Sequence, residues 1–180
     1  IEAVLQGLLA QTRLPASIQV IINNSSDASF DIARSYAGQY SVVRNDREQS
    51  TTIYVHDMGR VSEKKVGALN YGYRLAAGAE YLLGVDGDTV MEPEALELLE
   101  AEIASDPRIG GISAIYTVDN NARRPIASLL LAGQRAQFAA FNLQNLLRGR
   151  NMAVLGGQAS IFRISVLEEV MAHYHQHTPW

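Results

Sequence analysis

Hydrophobic residues follow two different patterns along the chain. Ile18 to Ile22 and Tyr81 to Val85 are short, nearly continuous apolar runs, which is typical of strands covered on both faces. Around them, apolar residues recur three and four positions apart, which is the spacing of amphipathic helices. This alternation of strand and helix predicts βαβ units, and therefore an α/β fold with a mostly parallel central sheet and helices on both faces.

Breakers and caps place the helices. The first helix should end near Thr12, because Pro15 disfavours helical backbone before it. Ser62 is predicted to cap a helix that Gly78 ends. Further helices are expected over residues 28–37, 93–105, 126–147 and 166–175.

The remaining segments have less regular patterns. Residues 41–44 and 109–118 are predicted as strands. Residues 45–59 show no clear period, which favours a loop with an extended piece at residues 52–55. Near the end of the chain, Gly156 and Gly157 predict a turn that leads into an extended segment ending at Arg163.

Composition restricts the class of protein. The 180 residues fit one domain, and 47% hydrophobic with 19% charged residues is ordinary for a soluble globular chain. The net charge of -4 argues against a nucleic-acid partner, and the lack of cysteine excludes disulfides and thiolate chemistry. No apolar stretch approaches the length of a bilayer crossing. Because the chain begins inside a helical pattern and stops at Trp180 without a terminator, we expect a fragment of a longer protein.

Asp86 and Asp88 stand at the end of the second apolar run. Strand side chains repeat every second residue, so both carboxylates can face one ion, and Gly87 between them lets a ligand approach the backbone. Two carboxylates so close repel each other unless a cation lies between them. A Mg²⁺ or Mn²⁺ ion in such a site completes its shell with water and substrate phosphates, which predicts a phosphorylated ligand. A surface turn is the alternative, because Asp and Gly are common in turns.

Several motifs together carry a resemblance to a known family. They are Asn23-Asn24-Ser25-Ser26-Asp27, Lys65-Val66-Gly67-Ala68-Leu69-Asn70, Val85-Asp86-Gly87-Asp88, and Leu155-Gly156-Gly157-Gln158 with Phe162-Arg163. Their order and rough spacing resemble those of family 2 glycosyltransferases, over essentially the whole chain. The resemblance implies a Rossmann-like GT-A fold in a single partial catalytic domain over residues 1–180. Residues 1–118 would form the nucleotide-binding half, and residues 119–180 the start of the acceptor-side half.

The resemblance also implies roles for individual residues. Asp88 would be the main ligand of a Mg²⁺ or Mn²⁺ ion, and Asp86 would contact both this metal and the donor. The implied donor-binding residues are Asn23, Asn24, Asp27, Lys65, Asp86, Gly156, Gly157 and Gln158. Many relatives have an Asp pair where this chain has Asn23 and Asn24. An amide can still hydrogen-bond uracil or ribose, but it brings no negative charge, so the base preference stays open.

The implied function is transfer of a sugar from a nucleotide-sugar, foremost a UDP-sugar, to a hydroxyl of a saccharide or lipid-linked acceptor, with inversion. Such a reaction belongs to polysaccharide or glycoconjugate biosynthesis, on the cytoplasmic side of the cell membrane, with any membrane segments outside this chain. The family's leading strand is expected before Ile1 and its general base beyond Trp180.

Two other functions stay open at this point. One is a sugar-phosphate nucleotidyltransferase, although the glycine-rich basic loop that would favour it is not visible. The other is a non-catalytic module that binds a nucleotide-sugar or a partner.

Overall fold

The computed structural model describes residues 1–44, 46–118, 125–148, 155 and 158–177, without the side chains of residues 125–127 and 174–177. The helices of this part of the chain are α1 (Glu2–Leu9), α2 (Ser29–Ser35), α3 (Lys64–Leu75), α4 (Ala95–Ala104), α5 (Pro125–Leu147) and α6 (Ile164–His177). Its strands are β1 (Ser17–Ile22), β2 (Gly38–Arg44), β3 (Arg47–Asp57), β4 (Tyr81–Val85), β5 (Gly111–Ser113) and β6 (Ala159–Arg163). The predicted α/β class is therefore confirmed.

The described strands form two three-stranded sheets, in the orders β1-β3-β2 and β4-β6-β5. Only β1 and β3 pair in parallel, whereas β2 with β3, β4 with β6 and β5 with β6 are antiparallel. The mostly parallel central sheet that we predicted is thus not seen among these strands. The prediction inferred parallel pairing from the alternation of strands and helices along the chain. Instead, β2 and β3 form a hairpin, and β6 pairs between two strands that precede it.

The longest strand, β3, lies where a loop was predicted. It runs for 11 residues and pairs with a neighbour on each side. Its fully buried positions are Thr51 and Ile53, which are 1% and 2% exposed. A central strand needs partners on both edges more than it needs a continuous apolar run, and these partners are not visible in its own sequence. The prediction of a loop at residues 45–59 was therefore wrong for residues 47–57, and only its extended piece was right.

Other boundaries differ in detail. Strand β5 covers three residues of the predicted 109–118, and β2 already begins at Gly38, which adopts a φ of 141°. Glu63, not Ser62, occupies the N-cap position of α3, and no side chain caps that helix. The Ser62 hydroxyl instead donates a hydrogen bond to the Glu63 carboxylate at 2.6 Å. Ser62 is thus not the cap that we predicted, because its hydroxyl is engaged by this neighbour.

Both sheets contribute to one hydrophobic core. Strand β1 buries every second residue, and helices α1 and α4 supply apolar faces with helical spacing. The central members of this core are Val4, Leu5, Leu8, Ile18, Val20, Ile22, Ile53, Leu96, Leu99, Ile103 and Ile161. Each such side chain stabilises the fold by about 1.5–3 kcal/mol through removal from water. The core therefore lies under both β1 and β4, whose carboxyl ends carry the predicted site.

Helix α5, at 23 residues, confirms the prediction for residues 126–147. Phe138 and Phe141 face Tyr116, with ring centroids 5.1 and 6.4 Å away, while Leu129 and Leu147 are exposed.

Among the described helices, none is both long and apolar enough to cross a membrane.

A buried glutamine joins α1 to the start of α4. Gln11 is fully buried, and its Nε2 donates to the carbonyls of Gly7 at 3.1 Å and Glu92 at 2.8 Å. Its Oε1 accepts the Leu96 N–H at 2.9 Å. The Thr12 N–H also donates to the Pro93 carbonyl at 2.8 Å. These bonds fix the segment that leads from Asp88 to α4.

Replacing Gln11 tests how much this connection stabilises the fold. We expect Gln11→Leu to lower the free energy of unfolding by about 2–4 kcal/mol, because it leaves buried N–H and C=O groups without partners. Urea unfolding monitored by circular dichroism measures the change. Gln39→Leu, the same substitution at an exposed position of β2, should change this free energy by less than about 0.5 kcal/mol. Equal effects of the two substitutions would contradict the role of Gln11.

Candidate functional site

Polar residues follow β1 and β4 directly, where each strand ends. Ile22 is the last residue of β1 and Asn23 comes next, whereas Val85 ends β4 and Asp86 follows. Helix α3 comes between the two strands in the chain and packs against β1. Its amino terminus contacts both strand ends, as the following bonds show.

An ion pair connects α3 to the end of β4. The Lys65 Nζ lies 2.6 Å from Asp86 Oδ1 and 2.8 Å from Asp86 Oδ2. The side chain of Lys65 is 56% exposed and that of Asp86 is 28% exposed, so water screens the pair. A pair of this exposure contributes about 0–1 kcal/mol to folding. Because the ion pair is weak, both Lys65 and Asp86 can exchange it for another partner.

The segment before β6 lies beside the same aspartate. The Asp86 N–H donates to the Gln158 carbonyl at 2.9 Å, continuing the antiparallel register in which Val85 pairs with Ala159. The Thr89 N–H donates back to the Asp86 carbonyl at 3.0 Å, which turns the chain after the strand. Two predicted site residues far apart in sequence, Asp86 and Gln158, are thus neighbours. Gly156 and Gly157, which were predicted beside them, lie outside the described residues.

Asp88 is exposed in the turn after β4, and the space above Gly87 is open, since a Cβ built there meets nothing within 4 Å. Across the described part of the chain, His, Asp and Glu side chains form no group of three or more that could hold a metal. The metal ligands that the sequence predicts are the two carboxylates of Asp86 and Asp88. Such a set fits Mg²⁺ or Mn²⁺, which takes few protein ligands, better than an ion that needs an all-protein cage.

Asn23 and Asn24 bind the loop that precedes α3. The Asn23 Nδ2 donates to the Lys64 carbonyl at 2.6 Å. The Asn24 N–H donates to the Gly59 carbonyl at 2.7 Å, and its Oδ1 accepts the Val61 N–H at 3.2 Å. Asn24 adopts a left-handed φ of 54°, which Asn tolerates better than most residues. Both amides therefore have protein partners at the end of β1.

Asp27 lies two residues before α2, and its carboxylate contacts the start of that helix. Its Oδ1 accepts the Ser25 hydroxyl at 2.6 Å and the Ser29 N–H at 3.0 Å. These hydrogen bonds, first that of the Ser25 hydroxyl, lower the pKa of the Asp27 carboxyl to about 2. The N-cap residue of α2 is Ala28, which makes no side-chain cap bond, so Asp27 holds the helix start from the position before it. The prediction that Asp27 binds a donor stays a prediction.

Arg163, part of the last motif, lies at the other end of the second sheet. It pairs in register with Tyr81, the first residue of β4. Its guanidinium donates to the carbonyls of Ile103 at 2.7 Å and Ile109 at 3.3 Å, and to the Tyr81 hydroxyl at 3.3 Å. Arg163, a residue of β6, therefore joins α4 to the start of β4 and to the segment before β5, away from the aspartates.

One contributor to the site was missed from the sequence, namely the Lys64 carbonyl. A main-chain acceptor has no side-chain signature, so no motif search could find it. The left-handed φ of 46° at Lys64 gives no signal either, because lysine is not a residue that marks such a conformation. The one usable signal is Asn23, because Asn carries an N–H donor where Asp does not.

Comparison with known protein families gives a match to the family described as glycosyl transferase family 2, over residues 1–171. The match spans every motif from Asn23 to Arg163. A search of curated proteins gives no match.

The low pKa of Asp27 can be measured directly. In the folded protein we expect the carboxyl carbon of Asp27 to titrate near the pKa of about 2, below its ordinary value of 3.8. Because the folded state favours the ionised form, the stabilisation is present above pH 3.8 and is lost as the pH falls through about 2. A ¹³C NMR titration gives the midpoint. Ser25→Ala should raise it, and an unchanged midpoint in that variant would show that the Ser25 hydroxyl is not the cause.

Proposed function

Because the chain belongs to glycosyl transferase family 2, we propose that it binds a nucleotide-sugar, foremost a UDP-sugar, and that the protein transfers the sugar to an acceptor hydroxyl with inversion. Family membership itself points to a GT-A fold and to glycosyltransferase activity in general. The donor, the metal and the stereochemistry are parts of the proposal.

The observation that carries the proposal is the contact of Lys65 with Asp86 beside Gln158. This contact places one cationic and one anionic side chain at the carboxyl end of β4, next to the backbone that precedes β6. Ligands of open α/β sheets bind at the carboxyl ends of parallel strands, and β1, which pairs in parallel with β3, brings such an end next to the start of α3. A half-exposed ammonium group at this edge is suited to the phosphates of a nucleotide-sugar.

We assign the metal to Asp86 and Asp88. When bound, a Mg²⁺ or Mn²⁺ ion would offset the negative charge that develops on the diphosphate as it leaves. Asp88 is the more available ligand because it is exposed, whereas Asp86 already contacts Lys65. Since that ion pair is weak, Asp86 can contact a cation while Lys65 turns toward a phosphate. Open space above Gly87 leaves room for the diphosphate next to the backbone.

The acceptor side of the proposal rests on the family alone. We propose a saccharide or lipid-linked hydroxyl as acceptor, and the cytoplasmic side of the cell membrane as the location, because a charged nucleotide donor does not cross a bilayer unaided. Asp86 and Asp88 are assigned to the donor and its metal, so the group that takes the acceptor's proton is a different residue.

Titration calorimetry of UDP tests the donor part. We expect binding to require Mn²⁺ or Mg²⁺ and to be lost with a chelator. Asp88→Ala should weaken UDP binding at least about tenfold, because it removes a metal ligand. Glu48→Ala is the control, because it removes an exposed carboxylate at the amino end of β3, away from the carboxyl ends of β1 and β3. It should leave the affinity for UDP within about twofold of the native value, since exposed charges far from a ligand are screened. Metal-independent UDP binding, or equal affinities for Asp88→Ala and the native protein, would refute the metal assignment.

A further inference from the structure

Three hydrogen bonds join the loop after β1 to the loop before α3 and to the first residue of that helix. Asn24 forms two of them: its N–H donates to the Gly59 carbonyl, and its Oδ1 accepts the Val61 N–H. The third, and the shortest, runs from the Asn23 Nδ2 to the Lys64 carbonyl at 2.6 Å. Only this third bond reaches α3 itself, because Lys64 is the first residue of that helix.

The backbone at Lys64 is strained. Its φ of 46° is left-handed, which costs a residue with a Cβ about 1–2 kcal/mol. Such a conformation persists where surrounding contacts hold it. No side chain caps α3 at its N-cap residue Glu63. The amide of Asn23 is therefore a contact that holds the helix start in this conformation.

The next residue makes the contact with the aspartate. Lys65 follows Lys64 directly, and its ammonium group lies 2.6 Å from Asp86. A chain of contacts thus runs from Asn23 at the end of β1, through the backbone of Lys64 and the side chain of Lys65, to Asp86 at the end of β4. Of its members, Asn23 is the one whose replacement alters the helix start without altering either charged side chain.

We propose that Asn23 is a positioning residue, which holds the amino terminus of α3 so that Lys65 meets Asp86. Its effect on ligand binding rests on the proposed function, whereas its effect on the helix does not. The role demands an amide at this position. An aspartate has two acceptor oxygens and no donor, so it would place a negative charge against the Lys64 carbonyl. The neutral amide at position 23 is thus required for the contact with the Lys64 carbonyl.

Hydrogen exchange of the full-length protein without ligand tests the positioning. The Val66 and Gly67 amides donate to the Glu63 carbonyl at 3.1 and 3.4 Å and form the first turn of α3. We expect Asn23→Asp to speed their exchange about tenfold, because the helix start loses its contact. Asn24→Asp is the matched control: it adds the same charge one residue away, tolerates the left-handed backbone and keeps the oxygen that accepts the Val61 N–H. Its exchange in this turn should match that of the native protein.

UDP binding in the presence of Mn²⁺ tests whether Asn23 acts through Lys65. The neutral change Asn23→Ala should weaken binding about fivefold in the native background. In a Lys65→Met background the same change should weaken binding by less than about twofold, because the residue that it positions is gone. The titrations use UDP concentrations high enough to give a dissociation constant for the variant that binds most weakly. A residue that contacts the nucleotide itself would give the same loss in both backgrounds.

The two measurements separate this inference from the proposed function. If the native protein fails to bind UDP, the proposed function is wrong, and the exchange result alone decides the positioning. Unchanged exchange in Asn23→Asp, or equal changes in Asn23→Asp and Asn24→Asp, overturns the inference. So does a fivefold loss on Asn23→Ala that persists with Lys65→Met. If Asn23→Asp yields too little folded protein, Asn23→Ala takes its place in the exchange experiment with the same expected direction.

Discussion

The amino terminus of α3 connects the end of β1 in one sheet to the end of β4 in the other. Lys64 offers its carbonyl to Asn23 at the end of β1, and Lys65 offers its ammonium group to Asp86 at the end of β4. Neither contact is strong alone, because both are exposed to water. The two contacts act together because Lys64 and Lys65, which make them, are adjacent in the chain. The relative placement of the two strand ends is thus coupled to the conformation of a single turn of helix.

Stronger constraints lie beneath this edge and leave the turn free to respond to a ligand. The core is shared between the sheets, and the buried side chain of Gln11 fixes the segment leading into α4 through three hydrogen bonds. Arg163 joins α4 to the second sheet at the end away from the aspartates. By contrast, α3 has no buried residue and no side-chain cap. The elements that carry Asp86 are therefore more firmly held than the helix that carries Lys65.

The sequence predicted what depends on local pattern and missed what depends on distant partners. Strands β1 and β4 and helix α5 were found because their apolar residues have a clear period, and the adjacency of Asp86 to a strand end followed. Strand β3 was missed because pairing on both edges, not its own composition, makes it a strand. The site divides in the same way. Side chains such as Lys65 and Asp86 carry a motif, whereas the Lys64 carbonyl that Asn23 contacts does not.

Charge gives a physical reason for amides at positions 23 and 24. The side chains of Lys65, Asp86 and Asp88 together carry a formal charge of one negative unit. Two further carboxylates at positions 23 and 24 would raise this formal charge to three negative units. A diphosphate would then meet stronger repulsion, and more of its binding would depend on the metal. An aspartate at position 24 could still accept the Val61 N–H, but at position 23 only an amide supplies the donor that the Lys64 carbonyl accepts, and neither amide adds this repulsion.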